Sequence, residues 1–422
     1  MSRIVSILVM RVAAAFSAAA LLAGVLIWGA YGFRYAGVRG AGQFNQPWDE
    51  VLMTAPPVAN PDPTTAALLR PGVVQAVVRP LRAVHALPEP WLYGLTFVDR
   101  SSRFRVAFFF GKIGTTGWVA FFPAVFLLKT PLPVLALLAL AGASLVLGRT
   151  RSGHRAGRLL YRLIPLAALA TIYVGFALTS HLNLGLRHLL PLYPALYVGA
   201  GAVALAFHRR WLAIATAVLL TWHVWGSLAI RPHYLAYFNP LLGGPAHAYE
   251  HFVDSSLDWG QDLPGLKRWL DVHARGEAIF LSYFGSGSPK DEGITATRLA
   301  DGNFDRNLRP AAPPMTGGVY CISATMFQQI YTLVRHGWTE DHERRYAELR
   351  TWADARRFGF DSTPPETVGQ LLVELEHLRF GRLCAGLHWR TPDDEVGYSI
   401  LIFRLTDAEV QRYLEGPPPY FR

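Results

Sequence analysis

Cysteine is scarce in this sequence, and several familiar catalytic motifs are missing. Only Cys321 and Cys384 occur among 422 residues, and neither belongs to a CxxC pair, so a metal or redox centre built on thiolates has no support. A disulfide between them stays an open alternative if their compartment is oxidising. No HExxH or GxSxG motif occurs, and the glycines of "YFGSGSPKDEGI" do not form GxGxxG. The sequence therefore contains no motif of a zinc protease, a serine hydrolase or a dinucleotide-binding fold.

Apolar side chains and positive charge are abundant instead. Hydrophobic residues make up 51% of the chain, the mean hydropathy is +0.22 and the formal net charge is +10. This is too apolar for an ordinary soluble enzyme of this size, so the composition predicts a membrane protein that contacts lipid. The basic residues cluster beside apolar runs, where the positive-inside rule explains them. We therefore expect no nucleic-acid partner.

Five apolar runs come close to the length of about twenty residues that a membrane helix needs. They cover residues 4–32, 118–148, 159–180, 188–207 and 211–230, with a long external loop at residues 33–117. The predicted transmembrane region is thus residues 1–230. Pro123, Pro131 and Pro133 interrupt the second run, so we expect an interfacial helix up to about Leu128 and a short span from Leu132.

The arginines of two short loops predict the orientation. "RTRSGHRAGR" (residues 149–158) and "HRR" (residues 208–210) contain no acid and are therefore placed in the cytoplasm. The N-terminus is then cytoplasmic and everything after Arg231 lies outside, which predicts a multi-pass protein of a bacterial inner (plasma) membrane. The first run ends in "WGAYGF" rather than in a small-x-small cleavage site, which favours a retained anchor over a cleaved signal peptide.

The region after the last apolar run predicts an extracytoplasmic α/β domain of residues 231–422. Short apolar runs at residues 278–284, 317–323 and 398–403 are typical of buried strands, and amphipathic patterns predict helices at residues 326–336, 367–379 and 406–414. The predicted fold class is thus an α-helical integral membrane protein with about five spans and a C-terminal α/β domain. A thiol reagent or protease applied outside is expected to reach this domain, including Cys384.

Two cations are candidates for binding a phosphate at the external membrane face. Arg187 and His188 stand at the mouth of the fourth run, in "SHLNLGLRHLLPLYP", where an arginine can hold a phosphate through two hydrogen bonds. Lys129 lies inside the broken second run on the same side, where a charge is costly unless it is paired or faces water. The alternative for both cations is an interfacial anchor whose charge snorkels to the head groups.

The segment "VDSSLDWGQDLPGLKRWL" gathers further candidates. Tryptophan can stack on a sugar, and carboxylates can accept protons or hydroxyl hydrogen bonds, which makes substrate-binding candidates of Asp254, Asp258, Trp259, Gln261 and Asp262. The alternative is structural: Asp262 precedes an apolar-periodic run with Pro264 in its first turn, as an N-cap does. The local pattern favours the cap. In the external loop, Asp49 of "QPWDE" is a weak catalytic candidate.

Several strings, taken in chain order, resemble bacterial membrane glycosyltransferases of family 39, the protein O-mannosyltransferase-like group of the GT-C class. They include "KTPLP", "RHLLPLYP", "YFNPLLGGP" and "DSSLDWGQDL". The resemblance implies an enzyme that transfers a sugar from a polyprenyl-phosphate donor to an acceptor on the external face, with inversion and without a nucleotide sugar. We expect no metal or cofactor. It places Arg187 and Lys129, with His188 beside them, at the donor phosphate.

The resemblance is to the C-terminal half of this family, whose catalytic acid lies in the first external loop of an N-terminal half. Asp49 is only a weak substitute for that acid. We therefore expect that the start is truncated, that a partner polypeptide supplies the N-terminal half, or that transfer activity has been lost. The rival hypothesis is a non-catalytic membrane subunit whose external domain binds a glycan or a protein partner.

Overall fold

The computed structural model describes residues 2–37, 44, 47–52, 72–103, 105–148, 153–300, 314–335, 337–359 and 363–419. The first residues of the predicted arginine-rich loop at 149–158 and the side chains of the rest lie outside the described part. The chain divides into two compact units, Met1–Arg105 and Val106–Arg422. The apolar helices after Arg105 and the α/β domain thus belong to the same unit.

The first unit is helical in its described residues. Its helices are Ser2–Ala30 (α1), Trp48–Leu52 (α2), Val73–Ala83 (α3) and Glu89–Arg103 (α4). Asp99 joins α3 to α4, because its Oδ2 accepts a hydrogen bond from Gln75 Nε2 at 2.7 Å and pairs with Arg103 Nη2 at 2.9 Å. Long apolar side chains of α1 are exposed, as expected for a helix that faces lipid.

The second unit begins with a short antiparallel hairpin and a series of apolar helices. The hairpin strands are Ala107–Phe109 (β1) and Lys112–Gly114 (β2). The helices that follow are Phe121–Lys129 (α5), Leu132–Gly148 (α6), Gly153–Thr179 (α7), Tyr193–Gly201 (α8) and Arg210–Ala229 (α9), with 3-10 turns at Leu186–Leu192 and Ala202–Ala206 on either side of α8.

The described part of the chain contains two helices that are long and apolar enough to cross a membrane, Val9–Ala30 and Arg210–Ala229. A third span results if Phe121–Lys129 and Leu132–Ser144, bent by 105° at their break, count as one. The break predicted at Pro131 is therefore confirmed. The run at residues 188–207 consists of short helical pieces, with Pro191 inside the first 3-10 turn and Pro194 in the first turn of α8. These candidate spans indicate a membrane protein.

A mixed five-stranded sheet forms the centre of the α/β domain. Its strands are Ile279–Ser282 (β3), Thr297–Arg298 (β4), Gly318–Ser323 (β5), Asp394–Val396 (β6) and Ile400–Leu405 (β7), in the order β4-β3-β5-β7-β6. β3 is parallel to β4 and β5, whereas β7 is antiparallel to β5 and β6. The three predicted strands are confirmed as β3, β5 and β7.

Helices cover both faces of this sheet. They are Leu263–His273 (α10), Ala324–Phe327 (α11), Glu340–Arg357 (α12), Pro365–Leu387 (α13) and Asp407–Glu415 (α14). Alternate β5 residues face opposite sides: Val319 and Cys321 pack with α10, whereas Tyr320 and Ile322 pack with α13 and α14.

The two cysteines lie in different apolar clusters, Cys321 with α10 and Cys384 in α13. Both are free and buried, so the structure contains no disulfide between them. The expectation that an external thiol reagent reaches Cys384 is wrong, because this side chain is 0% exposed and burial raises the pKa of its thiol.

Two of the three predicted helices in this domain are confirmed. Residues 367–379 lie within α13, and residues 406–414 correspond to α14, which begins with a capping box between Thr406 and Glu409. The helix predicted at residues 326–336 is wrong. It ends at Phe327 because Gln329 takes the left-handed conformation, with φ +58°.

One apolar cluster joins the apolar helices of the second unit to the α/β domain. Phe121 and Val125 of α5 pack in the same cluster as Phe252 and Leu257, which precede α10, and Ile330, which follows α11. Because such buried contacts resist rearrangement, they fix the connecting segment between the helices and the sheet. The candidate site lies on this segment.

Candidate functional site

The junction segment, residues 253–262, connects the membrane helices to α10. It contains the 3-10 turn Asp254–Ser256 and leads directly into α10. All three of its acids are buried. A buried carboxylate is costly unless hydrogen bonds satisfy it, so the partners of each acid show what that acid does.

Asp254 fixes the junction segment to α11 and to the residues that follow it. Its Oδ2 accepts a hydrogen bond from Tyr331 Oη at 2.5 Å, its Oδ1 accepts one from Ser255 Oγ at 3.0 Å, and its backbone N–H donates to Thr325 Oγ1 at 3.0 Å. The residue takes φ +54°, a left-handed conformation that aspartate tolerates better than most side chains. Its carboxylate is therefore engaged in holding the fold.

The carboxylate of Asp258 also contacts α11, in the interior of the protein. Its side chain is 0% exposed, and its carboxylate accepts hydrogen bonds from the backbone N–H groups of Gly260 at 3.1 Å and Thr325 at 3.4 Å. Burial raises the pKa of Asp258 to about 7, and the hydrogen bonds from Gly260 and Thr325 oppose that rise. The carboxyl is thus partly protonated near neutral pH.

Asp262 occupies the N-cap position of α10, as predicted, but its side chain forms no capping hydrogen bond. Its Oδ2 instead accepts hydrogen bonds from Ser399 Oγ at 2.7 Å and Gln261 Nε2 at 2.8 Å, and its Oδ1 lies 3.3 Å from His233 Nδ1. Burial raises the pKa of Asp262, whereas these partners lower it. The carboxylate therefore orients neighbouring polar groups.

Gln261 extends this network to the surface. Its Oε1 accepts a hydrogen bond from the backbone N–H of Trp259 at 2.8 Å, while its Nε2 donates to Asp262 and to the carbonyl of Leu257. The indole Nε1 of Trp259 donates to Ser255 Oγ at 2.8 Å. Trp259 is nevertheless 55% exposed, so a fixed aromatic ring faces the solvent at this junction.

Arg187 lies over that ring. Its guanidinium carbon is 4.9 Å from the centroid of Trp259, within the range of a cation–π contact. Arg187 is exposed and pairs with no carboxylate in the described part of the chain. Because no carboxylate among the described residues occupies its N–H donors, the guanidinium can bind an anion through two hydrogen bonds.

His188 stands beside Arg187 but points elsewhere. Its ring lies edge-on to Phe122 at 6.3 Å, and its Nε2 is buried without a hydrogen-bond partner among the described residues. Its backbone carbonyl accepts a hydrogen bond from Tyr173 Oη at 2.7 Å. In this conformation His188 is part of the packing behind Arg187 rather than part of its exposed surface.

Lys129 is buried at the C-terminal end of α5. Its Nζ donates hydrogen bonds to the carbonyls of Leu235, at 2.6 Å, and Ser256, and lies 4.5 Å from the centre of the Phe238 ring. These contacts join α5 to the junction segment. The ammonium is already hydrogen-bonded, so in this conformation Arg187 is the predicted cation that faces an incoming anion.

The helical pieces that follow Arg187 present an apolar surface. Leu190, Tyr197 and Val198 are each more than half exposed and recur at helical spacing along the 3-10 turn and α8. Such a stripe is typical of a helix that contacts lipid or another apolar partner. The exposed cation of Arg187 stands at one end of this stripe.

Asp49 lies in the first unit, exposed in the first turn of α2. No cluster of three or more His, Cys, Asp or Glu side chains in the described segments is arranged to hold a metal ion.

Two residues of this region were not singled out from the sequence. His233 approaches Asp262, and Asn239 closes the break after α5, donating from Nδ2 to the carbonyls of Leu127 at 2.6 Å and Thr130 at 3.0 Å. Asn239 belongs to the string "YFNPLLGGP", which carries the resemblance but predicts no role for the asparagine. An asparagine before proline near a helix break was the available signal for Asn239, whereas nothing local signalled the distant partner of His233.

Comparisons with protein-family models, with curated proteins and with solved structures found no match to this chain.

Proposed function

We propose that this protein is a membrane glycosyltransferase that takes a sugar from a polyprenyl-phosphate donor and transfers it to an acceptor outside the cytoplasm. The single observation that supports this most is the exposed Arg187 guanidinium stacked on Trp259 beside the apolar stripe of α8. A polyprenyl-phosphate sugar combines a lipid chain, an interfacial anion and a sugar. Apolar surface, a cation and an aromatic ring are the groups that complement them.

In the proposed reaction Arg187 stabilises the departing phosphate. The phosphodiester of the donor carries one negative charge, and the polyprenyl phosphate that leaves carries up to two. An arginine that binds the more highly charged product more strongly lowers the barrier. The family resemblance of "RHLLPLYP" and "DSSLDWGQDL" supports the same assignment. The orientation with five spans and an external α/β domain is part of this proposal.

The second candidate function is a non-catalytic membrane subunit that binds a lipid-linked glycan. One observation favours it: the three junction acids are all hydrogen-bonded within the chain, and Arg187 has no carboxylate beside it among the described residues. On this hypothesis the Arg187–Trp259 pair binds the donor, and a partner polypeptide supplies the chemistry.

Binding and turnover of a lipid-linked donor distinguish the two functions. The purified full chain in nanodiscs is titrated with undecaprenyl phosphate, then incubated with undecaprenyl-phosphate-linked mannose, glucose or aminoarabinose and an envelope extract as acceptor. Hydrogen bonds to a charged group contribute about 1.5–3 kcal/mol, so Arg187→Ala is expected to weaken undecaprenyl phosphate binding by about 10- to 100-fold.

Arg210→Ala is the matched control, because Arg210 is also exposed but begins α9 at the opposite, predicted cytoplasmic side. It removes the same charge and is expected to leave binding unchanged. Binding without sugar transfer supports the second candidate. Binding that is equally strong in wild type and Arg187→Ala contradicts both.

A further inference from the structure

His233 and Asp262 form a histidine–carboxylate pair directly beyond the last membrane helix. α9 ends at Ala229, and His233 follows within one turn of chain. Its Nδ1 lies 3.3 Å from Asp262 Oδ1, and its side chain is 34% exposed. A carboxylate beside Nδ1 keeps the proton there and leaves the Nε2 lone pair free to accept another.

The surroundings of Asp262 hold this pair in place. Ser399 Oγ and Gln261 Nε2 both donate to its second carboxylate oxygen. A Cβ on Gly397, which has φ +61°, would lie 2.1 Å from the carboxylate carbon of Asp262. Glycine is therefore required at the turn between β6 and β7, which closes over the carboxylate. The ring of Tyr398 stands edge-on to His233 at 5.8 Å.

The same hydrogen bonds connect the pair to the cation. Gln261 links Asp262 to the backbone N–H of Trp259, and Trp259 lies beneath Arg187. His233 and Arg187 thus contact the same short segment, at Asp262 and Trp259 respectively, and Gln261 connects those two residues. His233 Nε2 has no hydrogen-bond partner in the described part of the chain, so it is available to a substrate.

We propose that His233 is the general base of the transfer reaction and that Asp262 is its positioning residue. The proposal rests on the proposed glycosyltransferase function. It assigns the base to a histidine because the three junction acids are already hydrogen-bonded within the chain. His233 is a catalytic residue on this account because its Nε2 contacts the acceptor hydroxyl. Asp262 acts only through His233.

The step balances with donor and acceptor alone. The acceptor hydroxyl gives its proton to His233 Nε2 while its oxygen bonds to the anomeric carbon of the sugar. The bond between that carbon and the phosphate oxygen breaks, and its electron pair leaves with the polyprenyl phosphate. Arg187 binds the new charge, Asp262 stabilises the imidazolium, and His233 then returns its proton to water.

The test uses the full chain in nanodiscs with the undecaprenyl-phosphate sugar that the wild type turns over. General-base catalysis contributes about 10²–10⁴-fold, so His233→Ala is expected to lower the release of undecaprenyl phosphate at least 100-fold. Its affinity for undecaprenyl phosphate and its unfolding temperature are expected to stay at the wild-type level. Added imidazole is expected to restore part of the rate of His233→Ala but none of the rate of Asp262→Asn, which keeps its own imidazole.

His247→Ala is the matched control, because His247 also pairs with a carboxylate, Glu250, at 3.0 Å but on an exposed surface. It is expected to retain full turnover. Full turnover in His233→Ala, or a loss that imidazole does not restore, overturns the assignment of the base and leaves the proposed function standing. Absence of turnover in the wild type overturns the proposed function and the assignment of the base together.

Discussion

The buried carboxyl of Asp258 makes the stability of the protein depend on pH in a defined direction. Burial raises the pKa of this carboxyl from 3.8 to about 7 in the folded chain. Below the lower value the group is protonated in both the folded and the unfolded states, so it does not affect the pH dependence. Between the two values only the folded state retains the proton, and the free energy of unfolding therefore falls as pH rises.

The change in the free energy of unfolding follows from the difference between the two pKa values of Asp258. Each pH unit changes the free energy of unfolding by about 1.4 kcal/mol per proton, so the interval between 3.8 and about 7 corresponds to at most about 4 kcal/mol. Above about pH 7 the group is ionised in both states, and its contribution becomes constant.

Asp258→Asn removes this titration. The difference in free energy of unfolding between variant and wild type is expected to shift in favour of the variant as pH rises from 4 to 7, and to level off above pH 8. The detergent-solubilised chain is unfolded with denaturant at each pH and followed by tryptophan fluorescence. Subtraction removes groups common to both chains, such as Glu374, whose pKa Arg345 lowers.

Asp271→Asn, on the exposed face of α10, controls for the loss of one negative charge. A difference between Asp258→Asn and wild type that is the same at every pH would refute the reasoning. It would mean that Asp258 is hydrated or ionised in the folded protein.

Three further variants test the packing around the junction segment and the placement of the α/β domain. Lys129→Met leaves the buried carbonyl of Ser256 and the partly buried carbonyl of Leu235 without their lysine donor and is expected to lower the free energy of unfolding by about 1–3 kcal/mol; wild-type stability would contradict this. Gly397→Ala places a Cβ against Asp262 and is expected to cost more than about 2 kcal/mol, measured by thermal unfolding and contradicted by an unchanged melting temperature. The substitution Asp291→Cys at an exposed position is expected to create a thiol that reacts with an impermeant maleimide in intact cells, with little background from the buried Cys384. Protection of the introduced thiol would contradict the external placement of the domain.

The sequence predicted those features that local chemistry determines. Proline and the missing N–H determine where the second apolar run breaks, so the bend after Lys129 was predictable. Runs of β-branched and aromatic residues likewise predicted β3, β5 and β7. These elements depend on neighbours within a few positions, which a single sequence displays directly.

Features that depend on distant partners could not be predicted in the same way. α12 is charged on most of its surface, and only the narrow row of Tyr346, Leu349, Trp352 and Ala353 packs with α13, so the wide apolar stripe that marks an amphipathic helix is missing from its sequence. The predicted helix at residues 326–336 ends early at the left-handed Gln329, and Thr332 Oγ1 donates hydrogen bonds to Gln329 in the buried loop that follows. Such side-chain bonds compete with helical ones.

The candidate site likewise combines one residue that the sequence predicted with contacts that depend on distant partners. The motif "RHLLPLYP" and the charge of Arg187 singled out the cation, but its contact with the ring of Trp259 requires the fold. In the sequence the acids of the junction segment were candidates for binding a substrate, with a helix cap as the alternative for Asp262. Their partners stand far along the chain, as Tyr331 does at 77 residues from Asp254, so only the folded arrangement shows that these carboxylates are already hydrogen-bonded.

The most direct test of the central claim is the release of undecaprenyl phosphate from its sugar-linked form by the purified chain in nanodiscs, with wild type and Arg187→Ala compared at saturating acceptor. Release by the wild type that falls by about 10- to 100-fold in Arg187→Ala, with the same unfolding temperature, is the result that the account predicts. Release at equal rates by the two proteins would contradict it.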